Sequence, residues 1–143
     1  MTQEGKALVL KDIGARLYYG VKISVPVVEK DMVFTVVGIS ESWLLVKNDR
    51  GSIFNVNTAL EFKPYYRPMS SMTEEECDMV EEILGDKCIF DFMSNGDIVL
   101  KQGRFSQNKL AKLHDYYNSI HVDYQGLIPN GLALEALEGM YNL

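Results

Sequence analysis

The sequence predicts an α+β fold, with an N-terminal antiparallel β-meander or small SH3-like barrel followed by a helix, a β-hairpin, a second helix and a C-terminal tail. Residues 18–56 are dense in β-branched and aromatic side chains and are divided by short polar turns, which favours strands. Residues 77–84 instead place apolar side chains at helical spacing. Between them, Pro64 and Pro68 end the strand-rich part. Periodicity does not distinguish a barrel from an open sheet.

Two hairpins are predicted in the first half. The four strands cover residues 18–28, 32–39, 43–47 and 52–56. The last two flank Asn48-Asp49-Arg50-Gly51, where glycine suits the positive φ of a bulged type I turn. The preceding residues 6–16 are ambiguous, because an apolar run is followed by Asp12, which could cap a short turn of helix.

The second half begins with a helix whose start and end are both marked. Thr73 and Glu76 form a capping box, and Gly85 follows as a terminator. Met72 is placed to pack onto Cys77 as a hydrophobic staple. The inward face is formed by Cys77, Val80, Ile83 and Leu84.

A third hairpin and a second helix are predicted next. Residues 89–93 and 98–101 bracket the Asn95-Gly96 pair, which is a strong hairpin signal. Ser106 could cap a helix. Its inward side chains would be Leu110, Leu113, Tyr117 and Ile120. The tail, residues 132–143, is expected to be either a short helix or an extended packing arm.

Length and composition indicate one domain. With 143 residues and 47% hydrophobic content, the chain can bury a core without disulfides or metal. We expect a single domain over residues 1–143, with a mostly β lobe (1–66) and a mixed lobe (67–143) joined by the Pro64 to Pro68 crossover. Neither an export signal nor a membrane span is indicated. Cys77 and Cys88 are expected to be reduced thiols of a cytoplasmic protein.

Charge is distributed unevenly. Residues 1–66 carry eight Lys/Arg and seven Asp/Glu, whereas residues 67–143 carry six and thirteen, giving net charges of +1 and −7. A negative field repels phosphate backbones, so general nucleic-acid binding is disfavoured. One basic patch with nearby aromatic residues could still contact a nucleic acid and is the alternative functional hypothesis. Its cations are Lys101, Arg104, Lys109 and Lys112.

Metal and cofactor sites are not predicted. Residues 91–97 resemble the start of a calcium loop, but Met93 and Gln102 stand at the third and twelfth positions, where carboxylates are needed. His114 and His121 are seven residues apart, or about 10 Å on one continuous helix, too far to share an ion. We interpret both as polar edge positions of an amphipathic helix.

Catalytic motifs are also missing from the sequence. It contains neither a Gly-x-Ser-x-Gly turn nor a glycine-rich phosphate loop. Cys77 near a helix N-terminus is surrounded by acidic residues that oppose its ionisation, which favours a structural thiol. The chain is therefore predicted to be non-catalytic. A small enzyme assembled from scattered carboxylates and tyrosines is the weaker alternative.

Protein contact is the leading functional hypothesis, with Tyr65, Tyr66 and Arg67 as the candidate surface. Aromatic residues, methionine and arginine are enriched at interfaces. Other residues of these types are more often part of the core, and they are Trp43, Met69, Met72, Tyr116 and Tyr117. If this trio is buried between the lobes, it is a structural junction, whereas exposure would make it a contact surface. The partner is an unknown protein or a second copy of the chain.

Three segments carry a resemblance to a known group of proteins. They are residues 15–22, residues 63–76 and residues 122–128 together with 131–136. They resemble a family of short, uncharacterised bacterial proteins associated with prophage-like or mobile genetic elements. The resemblance implies a genomic setting and a cytoplasmic location, and brings no activity, cofactor or catalytic residue. The resulting expectation is an accessory or protein-interaction protein of a mobile element.

Overall fold

A computed structural model describes residues 1–85, 88–90, 98–100 and 107–141, with backbone alone for the second and third ranges. Within these ranges the helices are α1 (Gln3–Ala15), α2 (Glu74–Leu84) and α3 (Gln107–Ser119). The strands are β1 (Lys22–Ser24), β2 (Val33–Ile39), β3 (Trp43–Lys47), β4 (Ile53–Asn57), β5 (Lys63–Tyr66), β6 (Cys88–Phe90), β7 (Ile98–Leu100) and β8 (Leu134–Glu135). The α+β class is therefore confirmed.

Six of these strands form one mixed sheet in the order β4-β3-β2-β1-β5-β8. Neighbours are antiparallel except β5 and β8, which run parallel. The predicted meander or SH3-like arrangement is not confirmed, because a helix precedes the strands and no pairing among the described residues joins β4 to β8. Strands β6 and β7 form a separate antiparallel pair, in agreement with the predicted third hairpin. The Asn95-Gly96 turn itself lies outside the described residues.

Helix α1 is much longer than the turn that the sequence suggested. Thr2 caps it, since its hydroxyl oxygen accepts a hydrogen bond from Gly5 N–H at 3.0 Å. Asp12 is not a cap but lies in the last turns of the helix. Gly5 and Gly14 lower the helix propensity of this segment, so only its burial against the sheet, through Val9 and Ile13, explains the helix.

The first strand is shorter than predicted. A 3-10 turn, Leu17–Tyr19, ends at Gly20, whose φ of 75° lies in the left-handed region that glycine tolerates best. Strand β1 then covers only three residues before Pro26, which cannot donate to a sheet ladder. The many β-branched residues at positions 18–28 therefore predicted a longer strand than the structure contains.

Strand β5 was not predicted, because Pro64 was expected to help end the strand-rich part, whereas it lies within β5 and pairs with Ile23. Strands β2 to β4 and the helices α2 and α3 begin and end close to their predicted positions. Strands β2, β3 and β4 match the predicted segments to within a residue or so. In α2 both hydrogen bonds of the capping box form, with Thr73 and Glu76 each donating a backbone N–H to the other's side chain, and Gly85 ends the helix. Helix α3 begins at Gln107, whereas its predicted cap, Ser106, lies outside the described residues.

Two hydrophobic clusters fill the interior. The first packs α1 against the sheet through Val9, Ile13, Val21, Ile23, Val25, Phe34, Val36, Leu44, Val46, Val56, Phe62, Tyr66, Leu127 and Ala133. The second packs α2 against α3 through Met69, Met72, Val80, Leu84, Leu113, Tyr117, Ile120 and Val122. The crossover after β5 leads directly from one cluster to the other.

A fully buried ion pair lies where the clusters adjoin. The Arg16 side chain is 0% exposed, and its Nε lies 3.1 Å from Asp12 Oδ2. Its guanidinium carbon also lies 4.0 Å from the ring centre of Tyr66 and 5.1 Å from that of Tyr124. Gln125 donates its side-chain amide to Asp12 Oδ1 at 2.8 Å. Arg16 thus connects α1 to β5 and to the segment that follows α3.

Removing one member of this pair should destabilise the fold strongly. Arg16→Met or Asp12→Leu leaves an uncompensated buried charge, so each should lower the free energy of unfolding by about 3–5 kcal/mol. The double variant should lose much less than the sum of the two, because it buries no charge. Urea unfolding of the four proteins measures this coupling. The exposed neighbour Lys11→Met is the control, and additive losses would contradict the prediction.

Candidate functional site

The predicted contact trio lies at the junction between the two clusters. Tyr66 is fully buried, and Tyr65 and Arg67 are partly buried. The Arg67 guanidinium donates to both carboxylate oxygens of Glu76, at 2.7 and 2.8 Å. Its backbone N–H donates to His121 O at 2.8 Å, and its carbonyl accepts from Asp123 N–H at 2.8 Å. These contacts favour the structural role for the trio, and a partner contact here stays a prediction.

The Arg67 and Glu76 pair is a charge-assisted, bidentate contact. Burial alone would raise the pKa of Glu76, but hydrogen bonds from Arg67 and Thr73 outweigh it and hold the pKa below its ordinary value. The carboxylate therefore serves two purposes at once. It completes the capping box of α2 and fixes the residue that follows β5.

Only half of the predicted basic patch falls within the described residues, and Lys101 and Arg104 lie outside them. Lys109 Nζ donates to Leu84 O at 3.0 Å, so this lysine satisfies a carbonyl at the C-terminal end of α2. Lys112 is exposed on α3. The structure thus gives Lys109 an internal role, and the nucleic-acid contact stays a prediction.

The two histidines do not share a helix face, so their interpretation as paired edge positions is wrong for His121. Helix α3 ends at Ser119, and His121 follows it in the left-handed region with a φ of 62°. Its N–H donates to Asn118 O, and Val122 N–H donates to Tyr117 O, which is the hydrogen-bond pattern of a Schellman motif. His114 remains on α3 and is exposed.

His121 is buried beside cations and stacks on the C-terminal segment. Its ring centre lies 3.7 Å from that of Tyr141, with an interplanar angle of 11°. Burial lowers the pKa of His121 to about 4, and the positive charges of Arg16, Arg67 and Lys22 contribute to that decrease. His121 is therefore a neutral aromatic surface for Tyr141 at neutral pH.

The tail forms an extended arm, which is one of the two predicted alternatives. Strand β8 pairs with β5, and Ala136 N–H donates to Tyr66 O at 2.8 Å. At its end, the Tyr141 hydroxyl donates to Tyr65 O at 2.7 Å and accepts from Lys22 N–H at 2.9 Å. Burial raises the pKa of Tyr141 to about 12, so the hydroxyl keeps its proton. Both ends of the arm are thus held against the sheet.

Cys77 and the residue types that bind metals are the remaining candidates for a catalytic or metal-binding role. Burial, followed by the charges of Glu76 and Asp78, raises the pKa of the partly buried Cys77 thiol, which keeps it protonated. Across the described parts of the chain, no three His, Cys, Asp or Glu side chains are grouped as a metal site. Helices of the described ranges are all too short or too polar to cross a membrane.

An exposed apolar surface lies on the sheet, on the face that the first cluster does not use. We name it the outer-face patch and define it as Val37, Trp43, Leu45 and Ile53, which are 37 to 58% exposed. In β3 the inward residues Leu44 and Val46 alternate with outward ones. The sequence indicates this surface in part: Trp43 is of a residue type enriched at interfaces, and Trp-Leu-Leu-Val gives the strand apolar residues on both faces.

A groove of about 580 Å³ adjoins the outer-face patch. Its sheet side includes Lys22, Thr35 and Lys47, which are cross-strand neighbours on β1, β2 and β3. Its other wall is residues 137–140 of the arm. The groove was not predictable from local sequence, because its two walls come from opposite ends of the chain.

Comparisons with known proteins found no match. No family model matches the sequence, no curated protein is similar to it at a significant level, and no solved structure matches it. The resemblance to mobile-element proteins therefore stays an expectation.

Stability should fall in acid through His121. Because its pKa is about 4 in the folded protein and about 6.5 when unfolded, the unfolded state alone takes up a proton as pH falls from 6.5 to 4. The free energy of unfolding should decrease by about 3 kcal/mol over this window. Asparagine tolerates a positive φ, so His121→Asn should remove the slope.

The test is chemical unfolding of the wild type and the variant at several pH values from 7 to 4. His114→Asn is the matched control and should keep the wild-type slope. The assignment to His121 is wrong if both variants show the same dependence on pH as the wild type.

Proposed function

We propose that this chain is a non-catalytic, cytoplasmic protein-interaction protein, an accessory factor of a mobile element, that binds a protein partner through the outer-face patch. The observation that carries the proposal is the patch itself. Four large apolar side chains lie exposed on neighbouring strands of one sheet face. Contiguous exposed apolar surface of this kind marks interaction sites in soluble proteins.

The composition of the patch supports the binding of a partner. Trp43 is the only tryptophan of the chain, and tryptophan is enriched among the residues that contribute most to binding energy. Leu45 faces Gly38 across the strand pair, and the register shifts between Val36 and Gly38 at a β-bulge. The bulge leaves Val37 exposed beside Leu45, which widens the apolar surface.

Charge distribution also favours a protein partner. The four side chains of the patch are apolar, and one cation, Lys47, lies beside them on the same face as the cross-strand partner of Ile53. Binding there would be driven mainly by apolar burial, and one or two charged contacts beside the patch would add only a weak dependence on salt. The alternative, nucleic-acid regulation through Lys101, Arg104, Lys109 and Lys112, would instead depend strongly on salt.

Affinity purification from native host lysate, with and without nuclease, tests the proposal. The wild type should retain a protein partner that nuclease does not remove, whereas Leu45→Glu/Ile53→Glu should lose it, because two charges would be buried in the contact. Met79→Glu is the matched control, since Met79 is 41% exposed on α2. Thermal unfolding verifies that each variant is folded. With the purified partner, Trp43 fluorescence should shift to shorter wavelength.

Two results would contradict the proposal. One is a partner retained equally by the wild type and by Leu45→Glu/Ile53→Glu. The other is a complex that nuclease abolishes and that Lys112→Glu weakens, which would favour the nucleic-acid alternative.

A further inference from the structure

We infer that the groove beside the outer-face patch binds an extended segment of the partner protein that carries one acidic side chain between apolar ones. This inference rests on the proposed function and specifies the chemistry of the partner. It follows from the charges, the apolar lining and the construction of the groove.

The polar side of the groove is a row of side chains on three neighbouring strands. Lys22 pairs with Thr35, and Thr35 pairs with Lys47, so the lysine Cα atoms lie about 10 Å apart at ordinary strand spacing. Lys22 Nζ donates to Thr35 Oγ1 at 3.2 Å, which places its ammonium group above the middle strand. No ion pair links either lysine to another described residue. A carboxylate above Thr35 would accept a charge-assisted hydrogen bond from Lys22, and Lys47, whose Cε lies near Gly51, would reach the same carboxylate by a change of rotamer.

The apolar side of the groove extends the outer-face patch. Val33 and Val37 line it from β2, and Leu137 and Met140 line it from the arm. Val37 belongs to both surfaces, so a bound segment could run from the groove onto the patch without a break. Apolar residues on both sides of the acidic one would cover this lining.

The charge balance of the groove disfavours a polyanionic ligand. Asp49 and Glu138 also line the groove, so its two lysines are matched by two carboxylates. A single carboxylate between the lysines is compatible with this arrangement, whereas a polyanion would face both acidic side chains as well as the net charge of −6. The volume of about 580 Å³ is in the range of ligand-binding sites and suits a few residues.

The groove is formed before any ligand arrives. Its outer wall, residues 137–140, lies between Ala136, which bonds to Tyr66, and Tyr141, which bonds to Tyr65 and Lys22. A wall held at both ends loses little conformational entropy on binding.

Titration with three blocked pentapeptides tests the inference. The probes are acetyl-Val-Leu-Asp-Val-Leu-amide and its two analogues with Asn or Lys at the middle position. Binding is measured from the amide chemical shifts of the isotope-labelled full chain. The Asp peptide should bind about fivefold tighter than the Asn peptide and perturb β1, β2 and residues 137–140. Lys47→Glu should weaken the Asp peptide at least about fivefold and make the Lys peptide the preferred one. Lys112→Glu should change neither.

Equal affinity for the three peptides, no binding of any, or unchanged preference in Lys47→Glu would overturn the inference. So would displacement of the Asp peptide by a short single-stranded oligonucleotide. The proposed function is tested separately. If Lys47→Glu still retains the lysate partner that Leu45→Glu/Ile53→Glu loses, the outer-face patch is the interface and the groove is not.

Discussion

The arrangement of the elements around Arg16 depends on the burial of its guanidinium group, which has no access to solvent. Burying a charge is costly unless other groups compensate it. Arg16 is compensated by Asp12 one turn earlier and by the faces of Tyr66 and Tyr124. Asp12 and Arg16 are one turn apart at the end of α1, so the ion pair is local, whereas the two rings reach Arg16 only when β5 and the segment after α3 are in their native positions. Among the described residues, the three guanidinium nitrogens of Arg16 form no hydrogen bond, so the ion pair and the two ring faces are the compensation that the fold supplies.

The crossover after β5 connects the buried Arg16 to the second half of the chain. Tyr66 contributes its ring to Arg16, and the next residue, Arg67, bonds to α2 and to the segment after α3. Asp123 then organises that segment, because its carboxylate accepts the N–H groups of Leu127 and Ile128 at 2.8 Å each. Burial raises the pKa of Asp123, although these hydrogen bonds oppose the increase. Consecutive residues therefore connect both hydrophobic clusters.

Sequence reasoning succeeded where structure is local and failed where it depends on distant partners. The capping box of Thr73 and Glu76 involves residues three positions apart, so their types alone predict the start of α2. Helix α1 has two glycines and is stabilised by packing on a sheet formed later in the chain, which no local pattern reveals. Likewise, nothing near His121 in sequence indicates a left-handed conformation or a stack on Tyr141, twenty positions away. Of the outer-face patch, residue type alone indicates Trp43, because β3 has apolar residues on both faces and only the fold shows which of them lie outside.

The C-terminal arm has a consequence for the behaviour of the sheet in solution. Strand β5 would otherwise form an edge, and unpaired edges are templates on which other chains can add strands. The two residues of β8 pair with Tyr65 and Tyr66, and Ala136 N–H occupies the carbonyl of Tyr66 that a foreign strand would use. The arm therefore covers the edge of β5 and disfavours edge-to-edge aggregation. Without the arm, the outer edge of β5 would be free to pair with a strand of another chain.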